Sequence, residues 1–367
     1  MPRKQTTSVP SLPLQWFAKE LAGETPPSHQ SMELLYELAS DFYGLLPWRV
    51  LDESNLIVVR DSVSGELCYC SVMGGLGEVF SMHANIGTEG LRQFRKIEAQ
   101  EFEDPAEFFV STHCVYVEFV ARPELQRQDR ELLAALGHPK GRGLASPIFR
   151  TFRPGFLPWF VTEDEARMLA ECLQAVITVC AAVASQENLR FWEVAETYPM
   201  VTRTEEPEPR YRVEMFKATL PAEPPPVPVR LAEETLHALR GKDYAVRGVV
   251  ELDLTYSGAA IGKKGERSAC AAIAMAVDAE SGMVLAPEVA DSSVAAGETL
   301  AKVFLKAIET SRAVPREVRV RSQRLKECLV PLMESFGVTV RVAKKLPATD
   351  RARSHLLGFF GGEMGGR

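Results

Sequence analysis

Two aspartates in the C-terminal part of the chain are the residues best suited to chemistry. Asp253 lies in a stretch that predicts a β-strand, and Asp350 lies where a helix is predicted to begin. Carboxylate oxygens are the ligands that Mg²⁺ prefers, so the pair could belong to a metal or substrate site. The alternative is structural, because an acid in the first turn of a helix is favoured by the helix dipole and one near a strand end can hydrogen-bond locally. Two carboxylates are few for a metal site, which favours the structural interpretation.

Basic residues are concentrated around the same part of the sequence. The candidates for binding an anion or nucleic acid are Arg319, Arg321, Arg324, Lys344, Lys345, Arg351 and Arg353. Arg319 and Arg321 are two residues apart and should share one face of a strand. The two lysines follow the last predicted strand, and ligands often bind at the carboxyl ends of parallel strands. The pattern permits a polyanionic partner, although phosphate attraction alone is nonspecific and charged runs are more often solvated surfaces.

Composition is typical of a globular protein of about two domains, with 46% hydrophobic and 25% charged residues in 367. The net charge of −7 is uneven, since the first 230 residues carry −10 and residues 231–367 carry +3. The N-terminal stretch has no apolar segment typical of a signal peptide. The apolar run from Leu173 to Ala184 is shorter than a membrane span and predicts a buried helix. Seven cysteines without a C-x-x-C pair favour a reducing environment. We therefore expect a cytoplasmic protein without membrane contact.

Changes in composition divide the chain into five segments. Strand and helix patterns alternate in an N-terminal α+β domain, eight prolines between 199 and 228 indicate a linker or surface strap, and a second domain follows. The predicted segments are a flexible arm (1–30), the N-terminal domain (31–198), the Pro-rich linker or strap (199–230), the C-terminal domain (231–360) and a Gly-rich tail (361–367).

The C-terminal domain has the clearest pattern. Strands beginning near Val246, Cys270 and Met283 predict a three-strand antiparallel meander. An amphipathic helix from Gly297 to Ser311 follows, and then a strand, a helix, a strand and a final helix. This order predicts an α/β domain after the α+β domain.

This order of elements, with Asp253 in its first strand, resembles the ribonuclease H-like fold of RNases H, retroviral-type integrases and many transposases, over about residues 246–360. The resemblance implies three carboxylates that hold two Mg²⁺ ions for phosphodiester chemistry. It places the first on Asp253 and the third on Asp350. The second belongs at the end of the fourth strand, where the sequence Val318-Arg-Val-Arg-Ser322 contains no acid. Arginines at that place would repel Mg²⁺.

The whole chain also resembles an uncharacterised bacterial two-domain family, in which a domain of unknown function precedes such a C-terminal domain. The phrases that carry this resemblance are Tyr69-Cys-Ser-Val-Met-Gly74, Phe149-Arg-Thr-Phe-Arg-Pro-Gly-Phe-Leu-Pro-Trp-Phe160 and Leu252-Asp-Leu-Thr-Tyr256. The resemblance implies no activity.

Three functional hypotheses follow. The first is a non-catalytic binding or scaffold protein with a degenerate ribonuclease H-like domain, no metal or other cofactor and an unknown protein partner. The second is a metal-dependent nuclease or strand-transfer enzyme, in which Asp253 and Asp350 bind Mg²⁺ with an acid from elsewhere, such as Glu251, Asp291 or Glu363. The third is a non-catalytic nucleic-acid-binding protein that uses the arginine surface. The absence of a third acid favours the first.

Overall fold

The computed structural model describes most of the chain. The described residues are 21, 23–101, 110–137, 145–184, 191–204, 210–230, 232–234, 237, 242–262 and 267–364. Most of the predicted arm and most of the helix predicted at 231–240 lie outside them. The chain divides into two compact units. The N-terminal unit is Met1–Pro221 with Gly262–Ser268, and the C-terminal unit is Ala222–Ile261 with Ala269–Arg367.

A seven-stranded sheet forms the centre of the N-terminal unit. Its strands are Ile57–Arg60 (β1), Leu67–Met73 (β2), Phe80–Ile86 (β3), Cys114–Val120 (β4), Ser146–Phe152 (β5), Thr197–Thr204 (β6) and Arg210–Lys217 (β7). Their order is β5-β4-β3-β2-β1-β6-β7, and only the pair of β1 and β6 is parallel. This mixed sheet with its helices confirms the α+β class predicted for this part of the chain.

Among the described residues, four longer helices accompany this sheet. They are His29–Leu45 (α1), Gly87–Glu98 (α2), Arg127–Ala135 (α3) and Glu163–Ala184 (α4). Side chains of α1 and α4 share one core with the sheet face that carries Cys68, Cys70 and Val72. Leu91 of α2 packs instead with Tyr69, because successive residues of a strand point to opposite faces. One face is therefore covered by two helices, and α2 covers part of the other.

Helix α4 begins with the predicted capping box. The Thr162 amide donates to the Glu165 carboxylate at 2.9 Å, and the Glu165 amide donates to Thr162 Oγ1 at 3.3 Å. By length and composition alone, the stretch Glu163–Val183 is apolar enough to cross a membrane, but half of its most apolar part is buried inside the protein. The buried core helix of a globular protein can be equally long and apolar, and the sequence from Leu173 to Ala184 predicted such a buried helix. Threonine is a residue type favoured at helix N-caps, which makes Thr88 the expected cap of α2, but that helix begins at Gly87 without a side-chain cap.

The predicted linker begins too early. Residues 197–204 and 210–217 are the antiparallel strands β6 and β7, where a connection between domains was predicted. Pro199 is tolerated in β6 because only the following residues, Met200 and Val201, pair with β1. The arginine-rich strand β7 is an edge strand, as its neighbouring prolines allow. The remaining prolines, from 221 to 228, lie in a segment that has neither helix nor strand.

The C-terminal unit contains a five-stranded sheet. The strands of this unit are Ala245–Val246 (β8), Val249–Ile261 (β9), Ala269–Asp278 (β10), Val284–Asp291 (β11), Ala313–Val314 (β12), Glu317–Val320 (β13) and Thr339–Val342 (β14). The sheet order is β11-β10-β9-β13-β14, with β13 and β14 parallel to β9, and β8 pairs separately with β12. The antiparallel meander of β9, β10 and β11 confirms the prediction.

Helices cover both faces of this sheet. They are Ala296–Ser311 (α5), Gln323–Glu334 (α6) and Pro347–Met364 (α7). Leu252 of β9 packs in the core that contains α5 and α6, whereas Met275 of β10 packs against Ala348 of α7. Strand β10 is consequently buried on both faces, as its apolar sequence predicted. The predicted tail begins too early, because α7 continues through the first glycines after Phe360, which weaken a helix without ending it.

The hairpin turns that begin at Asp61 and Asp278 have the same hydrogen bonds. In the first, the Ser64 amide donates to Asp61 Oδ2 at 2.7 Å and Gly65 has a φ of 73°. In the second, the Ser281 amide donates to Asp278 Oδ1 at 2.7 Å and Gly282 has a φ of 73°. The shared geometry follows from turn chemistry, since an aspartate accepts from the backbone and glycine tolerates a positive φ.

Alanine at Gly65 should lower the free energy of unfolding by about 1 to 2 kcal/mol, because an L-residue is strained at positive φ. No atom lies within 4 Å of the added methyl group, so the loss would report backbone strain alone. Gly44→Ala is the matched control, since Gly44 lies in α1 and its added methyl group also meets open space. Urea unfolding should show that this second variant is stabilised by up to about 1 kcal/mol. Equal effects at both positions would contradict the explanation.

Candidate functional site

The predicted carboxylates lie on the sheet face that α7 covers. Alternation along β9 places Glu251, Asp253 and Thr255 on this face, and all three are buried. Strand β13 runs parallel beside β9, with Arg319 opposite Glu251. Two residues further along, the chain that leaves β13 is therefore level with Asp253.

Arg321 joins the two predicted carboxylates. Its Nε donates to Asp253 Oδ2 at 2.8 Å, and its Nη2 donates to Asp350 Oδ1 at 2.5 Å. The guanidinium has several donors in a fixed planar arrangement, so one side chain can serve two acids. The structure thus brings Asp253, Arg321 and Asp350 into one cluster, with the positive charge between the negative charges.

Neighbouring contacts attach this cluster to α7. Arg353 lies 3.6 Å from Asp350 and donates to Thr255 Oγ1 at 3.4 Å. Glu251 accepts from the Thr349 amide at 2.8 Å and from its hydroxyl at 3.2 Å. An acid at the first turn of a helix is favoured by the free backbone amides and by the helix dipole. Glu251, Asp253 and Thr255 thus each have a partner on α7 or on the chain just after β13.

Burial dominates the electrostatics of Asp253, which is 3% exposed. Burial raises the pKa of Asp253 above its ordinary value, and the charge and hydrogen bond of Arg321 offset part of that rise. Burial also works to lower the pKa of Arg321, but its two carboxylate partners outweigh it and the pKa is raised. The positive charge of Arg321 therefore favours the ionised form of Asp253 against the effect of burial.

The acids on and beside this sheet face have hydrogen-bond donors as partners. Within the described ranges, no group of three or more histidine, cysteine, aspartate or glutamate side chains is arranged to hold a metal ion. Glu251 is bonded to Thr349, and Asp291 accepts from the Ser293 amide at 2.8 Å. The side chain of Glu363 is not among those described. The structural interpretation of Asp253 and Asp350 therefore agrees with the contacts they make.

Four of the seven candidate anion-binding residues have a carboxylate partner. Besides Arg321 and Arg353, Arg319 pairs with Glu317 at 2.8 Å, and Arg324 pairs with Glu223 at 3.2 Å. Of the remaining three, Arg351 donates from its Nε to Pro347 O at 3.3 Å, and Lys344 and Lys345 are exposed. Pairing therefore divides the seven basic residues, because the arginines nearest the sheet each lie beside a carboxylate.

The pairing of Glu251 with Thr349 was not predicted as part of the site. The sequence signal was present, since Glu251, Asp253 and Thr255 alternate on one strand. Their partners could not be predicted, because the distance along the chain from Glu251 to Thr349 is 98 residues. Only the packing of α7 on this face brings the two together.

Comparison with protein families gives two matches. Residues 33–201 match a domain of unknown function, DUF7309. Residues 235–357 match a second domain of unknown function, DUF6930. No curated protein matches the chain. These matches fit an uncharacterised two-domain family, with one domain in each part of the chain, and they support no specific catalytic role.

Removal of the guanidinium should destabilise the C-terminal unit strongly. Arg321→Ala leaves Asp253 buried without its ion-pair partner, and breaking a buried pair in this way typically costs about 3 to 5 kcal/mol. The loss in free energy of unfolding is measured by urea unfolding of the full chain, monitored by a spectroscopic signal that reports on the C-terminal unit. The exposed pair offers a control, because Arg319→Ala removes a partly solvated partner of Glu317 and should cost less than about 1 kcal/mol.

The same variant should acquire a characteristic pH dependence. A carboxyl group whose pKa is higher in the folded protein than in the unfolded chain destabilises the fold as pH rises, because the unfolded chain releases its proton first. Without Arg321, the pKa of Asp253 rises further. The stability difference between wild type and Arg321→Ala should therefore be smallest below about pH 4, near the ordinary aspartate pKa, and should grow towards neutral pH. A difference that is constant with pH would contradict this account.

Proposed function

We propose that this protein is a non-catalytic binding protein, whose C-terminal unit is a ribonuclease H-like module in which an arginine takes the place of the catalytic metal ions. The single observation that carries the proposal is the guanidinium of Arg321, which bridges Asp253 and Asp350.

The topology supports the ribonuclease H-like part of the proposal. When the five strands of the main sheet are numbered in chain order, they lie side by side in the order 3-2-1-4-5, and the fourth and fifth are parallel to the first. Helix α5 precedes the fourth strand, α6 joins the fourth to the fifth, and α7 follows the fifth. This is the element order on which the sequence resemblance rested. It places Asp253 in the first strand, Arg321 just after the fourth and Asp350 in the first turn of the last helix.

Electrostatics support the loss of catalysis. A divalent ion between Asp253 and Asp350 would have to displace or approach a fixed positive charge that donates to both acids. Hard ions such as Mg²⁺ also need several oxygen ligands, and the position of the missing acid carries a side chain without an acceptor. Arginine can hold the two acids together but cannot activate a water molecule in the way that a bound metal ion does.

Binding a protein partner is the remaining role that these features favour. Nucleic-acid binding has weaker support, because four of the seven predicted basic side chains already have a carboxylate partner. All seven cysteines are free and buried, which is compatible with a partner met in the reducing cytoplasm.

Metal titration tests this proposal. Wild-type protein at millimolar MnCl₂ or MgCl₂ should show no heat of binding and no rise in its unfolding temperature. A metal-binding site in the wild type would be detected, because a ligand present at a hundred times its Kd raises the free energy of unfolding by about 2.7 kcal/mol. Isothermal calorimetry and thermal unfolding measure both. Metal binding by the wild type that is lost in Asp253→Asn, or metal-dependent cleavage of DNA or RNA, would overturn the proposal.

A matched pair of variants tests the position of the arginine. Arg321→Asp places a third carboxylate beside Asp253 and Asp350, and the three acids should repel one another unless a cation joins them. We expect Mn²⁺ to raise the unfolding temperature of Arg321→Asp and to leave that of Arg321→Ala unchanged. An equal response of the two variants would show that this position does not correspond to a metal ligand.

A further inference from the structure

A cavity of about 820 Å³ lies in the N-terminal unit, on the sheet face opposite the main core. Residues of β2 and β3 form its floor, and the end of α2, the loop before β1 and the turn between β2 and β3 surround it. Pockets for small molecules typically have volumes of about 300 to 1,000 Å³. The cavity and the Arg321 cluster lie in different units. A ligand of the cavity is therefore independent of the function proposed above.

The floor carries oriented polar groups. Asn85 is 5% exposed, and its amide nitrogen donates to Tyr69 O at 3.1 Å, which fixes the direction of the amide. No described residue donates to its side-chain oxygen, which therefore remains available as an acceptor. Ser71 is 4% exposed and donates to Glu53 O at 2.7 Å, which joins the floor to the loop before β1. A buried, pre-oriented acceptor of this kind is typical of a binding pocket.

The histidine of the floor is held neutral. Its ring lies 4.9 Å from the ring of Tyr116, and burial lowers the pKa of His83 to about 4. At neutral pH the imidazole therefore carries no positive charge and can accept a hydrogen bond through one ring nitrogen. It would not repel a cation in the cavity.

The charged groups of the cavity have one sign. Asp52 and Glu53 lie in the loop before β1, and Glu98 is the last residue of α2. No lysine or arginine is among the described residues that line the cavity. The carbonyl end of a helix adds partial negative charge at the same place. The site therefore favours a cation and disfavours an anion.

Apolar side chains complete the lining. Phe94 and Ile97 come from α2, and Met73 and Leu76 come from the end of β2 and the turn after it. An aromatic ring and aliphatic groups favour a flat apolar body, and a ring beside a cation adds cation–π attraction.

We propose that this cavity binds a small organic cation, namely an amine that carries an aromatic or other flat apolar body. The ammonium group lies against the acids of the rim, and Asn85 and His83 accept hydrogen bonds from the ligand. The apolar body packs against Phe94 and Ile97.

A matched set of ligands tests charge and shape separately. Tryptamine, tryptophol and indole-3-acetate share one aromatic body and differ in charge, as cation, neutral molecule and anion. Saturation-transfer NMR and calorimetry on the full chain should rank their affinities in that order, with tryptamine at least tenfold tighter than indole-3-acetate. Failure of tryptamine to bind, or an affinity for indole-3-acetate equal to or higher than that for tryptamine, would overturn the proposal.

Variants assign the binding to this cavity. Ile97→Trp places a larger side chain at the partly exposed wall and should abolish tryptamine binding. The double variant Glu53→Gln with Glu98→Gln keeps both shapes, and it should weaken tryptamine roughly tenfold while leaving tryptophol unchanged, since close charges attract even near a surface. Glu37→Gln, an exposed position on α1, is the control and should change neither affinity.

Unfolding temperatures of all variants show whether each one is folded. Tryptamine binding that persists in folded Ile97→Trp, or that is weakened equally by the control, would place the ligand elsewhere and overturn the assignment. A metal titration that overturned the function proposed for the C-terminal unit would leave these binding measurements unaffected. None of the substitutions used here lies in the Arg321 cluster.

Discussion

The ion pairs of Arg321 are the interaction on which the C-terminal unit depends. A buried carboxylate is costly unless a partner compensates for its lost hydration, and Asp253 is almost completely buried. Arg321 supplies that compensation and simultaneously bonds to Asp350 at the start of α7. One side chain therefore links the central strand β9, the end of β13 and the helix that covers the face. The ion pairs thus add to the apolar packing of Ala348 in attaching that helix to the sheet.

The same interaction is the basis for proposing binding rather than catalysis for this unit. A metal ion and a guanidinium can both hold two carboxylates, but they differ in what else they do. A metal ion accepts further oxygen ligands and activates water, whereas a guanidinium uses its donors in fixed directions and offers no open coordination position. The sheet face beside α7 is correspondingly complete, with Glu251 bonded to Thr349 and Thr255 bonded to Arg353.

The N-terminal unit distributes its packing differently. Two long helices cover one face of its sheet, whereas the shorter α2 covers part of the other. Beside α2, this face carries polar residues such as Ser71 and Asn85, which line the cavity. Polar groups in a sheet interior are usually satisfied or replaced, so their retention beside acidic residues is the basis for the ligand proposed for this unit.

Much of the fold could be predicted from the sequence because the signals are local. The two Asp-initiated turns, the capping box at Thr162 and the antiparallel meander each depend on residues close together in the chain. The candidates Asp253, Arg321 and Asp350 could be chosen for the same reason, from residue type and position within predicted elements. The arginine where the resemblance called for an acid was visible in the sequence alone.

Tertiary structure decided the features that depend on distant pairing. Strand β6 joins β1 from more than a hundred residues away, and Pro199 within it, together with the prolines that follow, conceals it until that pairing is known. The cavity exists only because β2, β3, α2 and the loop before β1 meet, although each contributes unremarkable residues. Whether each arginine is free or paired depends on the register between strands and on helix packing. Sequence patterns record the burial and conformation of neighbouring residues, but charge compensation and cavities arise from packing in three dimensions.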